Sequence, residues 1–387
     1  MSGEKQKKRG SGKALGTLLN ILIGVQCGIL IARYMQASGH YKAGSLREAA
    51  VFALMMLGFF AAILTQIILH EAGHLVFGLA SGYRFVSFRV LSLMWLREGS
   101  GIKVKRLSLA GTGGQCLMEP PEMTDGRMPF KLYNQGGAIM NAASGVLFLL
   151  IGLLCPNRGL AQTLFWMLTA NGLVMAFMNG VPLKLGLVNN DGVNTRELSR
   201  DPGALRAFWI QMKANALQSR GMRLKDMPDE WFYMPKDAEL TNGMSATIAV
   251  FYEARLLDEH RFSEAAKCIR HILEAKTGLS PLSLGMLKND LIYVLLLDDG
   301  KREEIEALLS KQQVQLMKAM KQYPSVLRTQ IALCLLSEGD EERALQWNRA
   351  FDKMVGGYPY ESDIASEREL IQIAWQKWNE EKRCLND

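Results

Sequence analysis

The chain has 387 residues, of which 49% are hydrophobic and 21% charged, with a formal charge of +7. A mean hydropathy of +0.02 fits neither a typical soluble domain nor an all-membrane protein and implies two unlike halves. The six cysteines (27, 116, 155, 268, 334 and 384) form no CxxC and no paired spacing, which excludes a disulfide framework and a thiolate zinc site. The Lys/Arg clusters flank apolar runs and so point to membrane orientation and lipid contact, not nucleic acid.

In chain order, residues 1–13 form a basic tail carrying Lys5, Lys7, Lys8, Arg9 and Lys13. The uncharged run "ALGTLLNILIGVQCGILIA", 14–32, approaches the ~20 residues a spanning helix needs. It ends in "RYMQ" with no small-residue cleavage site, so it reads as a retained helix over about 14–35 and not a signal peptide. A second span, 49–80, is interrupted by "IILHEAGHLVFG", 67–78. Ionisable side chains in mid-membrane cost roughly 2.5–3.5 kcal/mol and are therefore rare and functional. His70 and His74 are four apart and share one helix face, with Glu71 beside them. This is HExxH, in which two neutral imidazoles hold Zn²⁺ and the carboxylate takes a proton from the metal's water.

After the motif, "RFVSFRVLSLMW" (84–95) is rich in β-forming residues and predicts a short strand region within 84–118. Third and fourth spans are expected at 137–155 and 160–182. The small residues of "GGAIMNAASG" (136–145) suit close helix contact, and Asn141 among them serves either as packing glue or as an oxyanion or substrate-positioning group. Asn179 either holds the oxyanion or bonds backbone freed near Pro182.

Lys/Arg counts orient the spans. The tail carries five and segment 82–136 eight, against two in 36–48 and one in "CPNRGL", so both termini are expected in the cytosol. Residues 49–70 then rise about 33 Å, bringing the motif toward the cytosolic leaflet. A catalytic zinc needs a third protein ligand and an open position. Span four ends on the same side, which makes Asp191, followed by Gly192, the expected third ligand; Glu197 is the nearest competing carboxylate.

Residues 201–242 read as a connecting segment with the aromatic, Pro-containing "DMPDEWFYMPKD". Beyond it, "LLDEHRFSEA" (256–265), "LLDDGKREEI" (296–305) and "LLSEGDEERA" (335–344) recur 40 and 39 residues apart. They resemble tetratricopeptide-like helical hairpins with a period above the usual ~34. The expected fold class is therefore mainly α: a membrane helix bundle of about four spans over 14–200 with a short β region, followed by a soluble helical repeat-like domain at 243–387. A plain helical bundle is the alternative for that domain.

These residues carry a family resemblance. The chain resembles the site-2 protease family of intramembrane zinc metalloproteases, which pairs HExxH on one membrane helix, here His70 to His74, with an N-x-x-P…D-G element on a later one, here Asn179, Pro182, Asp191 and Gly192. "GGAIMNAASG" looks like the family's small-residue helix with its Asn, and "LSLAGTGGQCLMEPPE" (107–122) like its Gly-rich strand beside the active site. The resemblance covers roughly 49–195, with a gap from Pro182 to Asp191 longer than the family's usual spacing. It implies one zinc per chain held by His70, His74 and Asp191, Glu71 as general base, and cleavage of peptide bonds in or near transmembrane segments. Segment 82–136 is too short for both the strands and a PDZ-sized domain.

Expected partners are a membrane-protein or membrane-peptide substrate, the lipid bilayer and a protein held by the C-terminal helices, with no nucleic acid. The expected location is the cell membrane of a prokaryote. The alternatives are a membrane-anchored zinc protease acting on soluble substrates at the cytosolic face, and an inactive scaffold; the intact Glu71 argues against the scaffold.

Overall fold

The computed structural model describes residues 17, 21, 23–37, 46–107, 112–156, 159–183, 189–298 and 302–386. The basic tail 1–13, the start of the expected first span, and parts of the "LSLAGTGG" and Pro182–Asp191 segments lie outside the described residues. The chain is mainly helical with a small antiparallel sheet. Contacts divide it into two compact units, one of residues 1–92 and 109–201, the other of 93–108 and 202–387.

The first unit holds helix α1 (23–37), α2 (Leu46–Ala80), strand β1 (Arg84–Val90), a strand at Gly114–Glu119, and helices α3 (Lys131–Leu154), α4 (Leu160–Gly180) and α5 (Asp191–Leu198). Helices α2, α3 and α4 are long and apolar enough to cross a membrane. Their ends differ from the apolar runs of the sequence. The helix α3 starts at Lys131 because its polar first turns are packed, with Tyr133 and Asn134 buried. Along α2, Phe52, Leu57, Phe60, Val76 and Leu79 are exposed. The buried set is Met55, Ala62, Gln66, His70, Glu71, Gly73, His74 and Gly78, a stripe at helical spacing. Polar groups of this apolar helix thus face the bundle.

That stripe packs closely on α3. A Cβ on Gly73 would lie 2.2 Å from the Gly136 carbonyl oxygen, so only glycine lets these two backbones touch. The Arg84–Val90 strand pairs antiparallel with Gly114–Glu119, from Arg84 opposite Glu119 to Val90 opposite Gly114.

The second unit holds strands β2 (Leu93–Glu98) and β3 (Gly101–Arg106), an antiparallel hairpin. In chain order the Gly114–Glu119 strand is β4. The sequence reading put this hairpin with the membrane unit. Its contacts assign it here, where Arg106 donates its backbone N–H to the Gly357 carbonyl at 3.1 Å. The stretch 201–242 is likewise not a bare connection. It contains α6 (Pro202–Gln218) and α7 (Asp237–Leu240), and Phe208, Trp209, Trp231 and Phe232 are buried. The α6 helix is buried nearly all round, Lys213 included, so it shows no amphipathic stripe in the sequence.

The remaining helices are α8 (Gly243–Asp258), α9 (Phe262–Glu274), α10 (Pro281–Leu297), α11 (Arg302–Leu308), α12 (Lys311–Ala319), α13 (Pro324–Leu336), α14 (Glu341–Val355) and α15 (Glu361–Asn386). The three recurring segments span the connections α8–α9, α10–α11 and α13–α14. Their equivalent positions are buried alike, Leu256, Leu296 and Leu335 before the connection and Ala265, Ile305 and Ala344 after it.

Candidate metal centre

Helix spacing places the His70 and His74 imidazoles one turn apart, with Nε2 atoms 3.2 Å from each other. Both residues are buried. Asp191 Oδ2 lies 3.2 Å from His70 Nε2 and 3.5 Å from His74 Nε2. Each residue offers one ligand atom, and the group could hold a metal ion. Glu197 is not in it; its carboxylate accepts a hydrogen bond from Asn189 at 3.3 Å.

The far side of each ring fixes what the near side presents. His74 Nδ1 lies 2.7 Å from the Tyr133 carbonyl, which can only accept, so Nδ1 carries a proton, and in the neutral ring that a metal would bind Nε2 keeps its lone pair. His70 Nδ1 lies 2.7 Å from Asn141 Oδ1. The Asn141 amide nitrogen donates to the Gln66 backbone and side-chain oxygens, each at 2.8 Å, which turns its oxygen toward His70. This tautomer also leaves Nε2 unprotonated. With both rings neutral, three lone-pair atoms converge, and Asp191 Oδ2 is buried without a hydrogen-bond donor. Such a donor set needs a cation to be satisfied.

Asn141 thus sits behind His70 with its whole amide engaged, as the group that orients the imidazole. The Asn179 amide donates to the Met175 carbonyl of its own helix at 3.0 Å. The structure does not join Asn179 to the histidine–aspartate group.

Asp191 opens α5, capped by Asn190, whose side-chain oxygen accepts from Val193 N–H at 2.8 Å. The Asn190 amide also donates to the carbonyls of Met178 and Val181 at 2.6 and 2.7 Å. One side chain therefore ties the end of α4 to the start of α5 and aims Asp191. Glu71 is buried against the backbone of Gly114, where an added Cβ would lie 2.6 Å from its Oε1. Arg89, buried on β1, donates to the Leu91 carbonyl, to Thr112 Oγ1 and to the Gly114 carbonyl. It holds the start of β4 where it meets Glu71.

Sequence reasoning missed Gln66, Arg89, Tyr133 and Asn190. Gln66 left a signal, a lone amide in an apolar run one helical turn before His70. Asn190 stands where a helix N-cap is expected. Tyr133 acts through its carbonyl, which every residue has, so no side-chain pattern announces it.

The chain matches no family model, no curated protein and no solved structure.

Proposed function

We propose that this chain is an intramembrane zinc endopeptidase of the site-2 protease kind, cutting membrane-bound substrates in or near a transmembrane segment. The observation that carries the proposal is the convergence of His70 Nε2, His74 Nε2 and Asp191 Oδ2 with Glu71 next in sequence to a ligand, on a helix long and apolar enough to span a membrane. Zinc suits the donor set. Bonds of ~2.0–2.1 Å in a tetrahedral site put ligand atoms roughly 3.3 Å apart; the three separations here are 3.2, 3.2 and 3.5 Å. Three protein ligands leave one of four positions open, the pattern of a catalytic and not a structural zinc.

Zinc in this site supplies a Lewis acid that polarises a peptide carbonyl and acidifies water. The protein's own residues do the rest. Asn141 and the Tyr133 carbonyl hold the two rings in register, so little reorganisation is needed at reaction. Glu71, held in place by Gly114, accepts the proton of the attacking water and passes it to the leaving amine. A helical substrate hides its carbonyls in hydrogen bonds and must unwind. The β4 strand, an edge strand that starts beside Glu71, is where such a segment could be held by strand addition. The helices from α8 onward, with their three related connections, suit tetratricopeptide-like stacking, whose concave faces hold extended peptides. The Lys/Arg bias of the sequence supports cytosolic termini.

The test is peptide cleavage and zinc content of the full chain in liposomes. Glu71→Gln should abolish cleavage and keep about one zinc per chain, because the base is lost and the ligands stay. Asp191→Ala should lower both, and Glu197→Ala neither. Turnover retained by Glu71→Gln would sink the assignment, and loss of zinc in Glu197→Ala alone would move the third ligand.

A further inference from the structure

The second unit contains a polar cavity of about 220 Å³ between α6, α8, α10, α13 and α15. Its wall carries five carboxylates, Glu253, Asp258, Asp290, Asp363 and Glu367, against two guanidiniums, Arg223 and Arg328. Both cations already hold carboxylates, and only Arg328 Nε lacks a hydrogen-bond partner. Arg328, 1% exposed and stacked 4.4 Å from the Tyr293 ring centroid, bonds Asp290 and, at 3.1 Å, Glu367. Arg223 donates to Asp258 at 2.6 Å and is shared with Glu369. Asp363 accepts from Gln218 at 2.8 Å and from the Tyr358 hydroxyl at 3.3 Å.

Glu253 is the exception. It is 2% exposed, lines the cavity, and its Oε1 has no hydrogen-bond partner. An unpaired buried carboxyl costs more than a buried apolar group of the same shape, so its presence calls for a complement. Burial pushes its carboxyl well above the usual range, the expected state when no cation is in place.

We propose that this cavity binds an organic cation on a narrow chain, an ammonium or guanidinium group, with Glu253 as its counter-ion. The volume equals about seven waters at ~30 Å³ each and falls below the ~300–1,000 Å³ of pockets that enclose whole ligands, so it takes a group the size of one side chain. A bare divalent ion would need several carboxylate ligands, and all the carboxylates of the wall but Glu253 are already bonded to Arg223, Arg328 or Gln218. Among the described residues, the compact ligand group is His70, His74 and Asp191, with no member here. Tyr323 and Tyr358 add aromatic rings to the wall, which attract cations. Two sources present this chemistry, a free small amine and a Lys or Arg side chain of a polypeptide.

Calorimetric titration of the full chain in detergent distinguishes them with three probes: agmatine, the capped tripeptide acetyl-Gly-Arg-Gly-amide, and its citrulline analogue, which keeps the shape without the charge. The expected result is saturable binding of agmatine or the arginine peptide and at least a tenfold weaker response to citrulline. Glu253→Gln should weaken the cation at least tenfold, and Glu342→Gln, at an exposed position, should not. Binding of agmatine alone identifies a free amine as the guest, and binding of the peptide identifies a polypeptide side chain. No saturable binding of either cation up to about 10 mM, or equal affinity in Glu253→Gln, would overturn the proposal and leave a protonated carboxyl facing water. Folding of the variant is checked by hydrogen exchange in α8 and α13. The binding readout is independent of peptide cleavage, so its failure is distinct from failure of the protease reading.

Discussion

The two buried polar clusters, one in each unit, are built in opposite ways. In the first, the polar stripe of α2 is matched nearly atom for atom, with Gln66, Asn141 and the Tyr133 carbonyl consuming every hydrogen behind the histidines. What is left over is three lone pairs aimed at one point. In the second, carboxylates outnumber cations around an open cavity, and one carboxylate oxygen has no partner. A fully connected network pre-organises a site for a small ion of fixed coordination. An unbalanced, roomy one suits a larger guest whose position is set by charge. In both cases the unsatisfied atoms describe the missing partner better than the satisfied ones do.

The sharpest way to break this contrast is at Gly114. A methyl group there meets Glu71 Cγ and Oε1 at 2.6 Å, so Gly114→Ala must displace the carboxylate. Displacements of about 1 Å at a reacting group cost on the order of 100-fold in rate. Cleavage should fall by that factor with zinc content unchanged; an active Gly114→Ala enzyme would remove Glu71 from the base position.

A smaller effect is expected one shell out. Asn141→Ala removes the acceptor that fixes the His70 tautomer and one of the two donors to Gln66 Oε1, the other being the Ser144 hydroxyl. Zinc affinity, measured by chelator competition, should drop about 10- to 100-fold. Unchanged affinity would mean that His70 is oriented by packing alone.

The smallest effect belongs to the second unit and is read through pH. Burial pushes the Asp363 carboxyl to about 6 and that of Glu367 to about 7. Both therefore bind protons more tightly folded than unfolded. The stability they add is fully present below the ordinary carboxylate range and is lost as pH rises through 6 to 7. Hydrogen exchange in α15, corrected for intrinsic rate, should be slower at pH 5 than at pH 8, by an amount on the order of 2 kcal/mol in opening free energy. Slower exchange at pH 8 would show that Arg328 holds Glu367 ionised. A saturating cationic guest should flatten the same profile.

The sequence by itself determined what depends on neighbours along the chain. Four-residue spacing put His70 and His74 on one helix face, long apolar runs marked α2, α3 and α4, β-branched and aromatic residues marked β1, and three related segments marked helical connections. Tertiary structure decided everything that depends on distant segments. Asn141 meets His70 across 71 positions and Tyr133 meets His74 across 59, while Asp191 is brought in by Asn190, which ties α5 to the end of α4, and by Gln135 of α3, which donates to Thr195. The same holds for the β2–β3 hairpin, whose strand pattern was legible but whose unit was not, and for the packed helix α6 in a stretch that read as a connection. Periodicity reports which face of an element is buried; it carries no information about which other element buries it, because that choice is made by shape and by pairing polar groups across the fold.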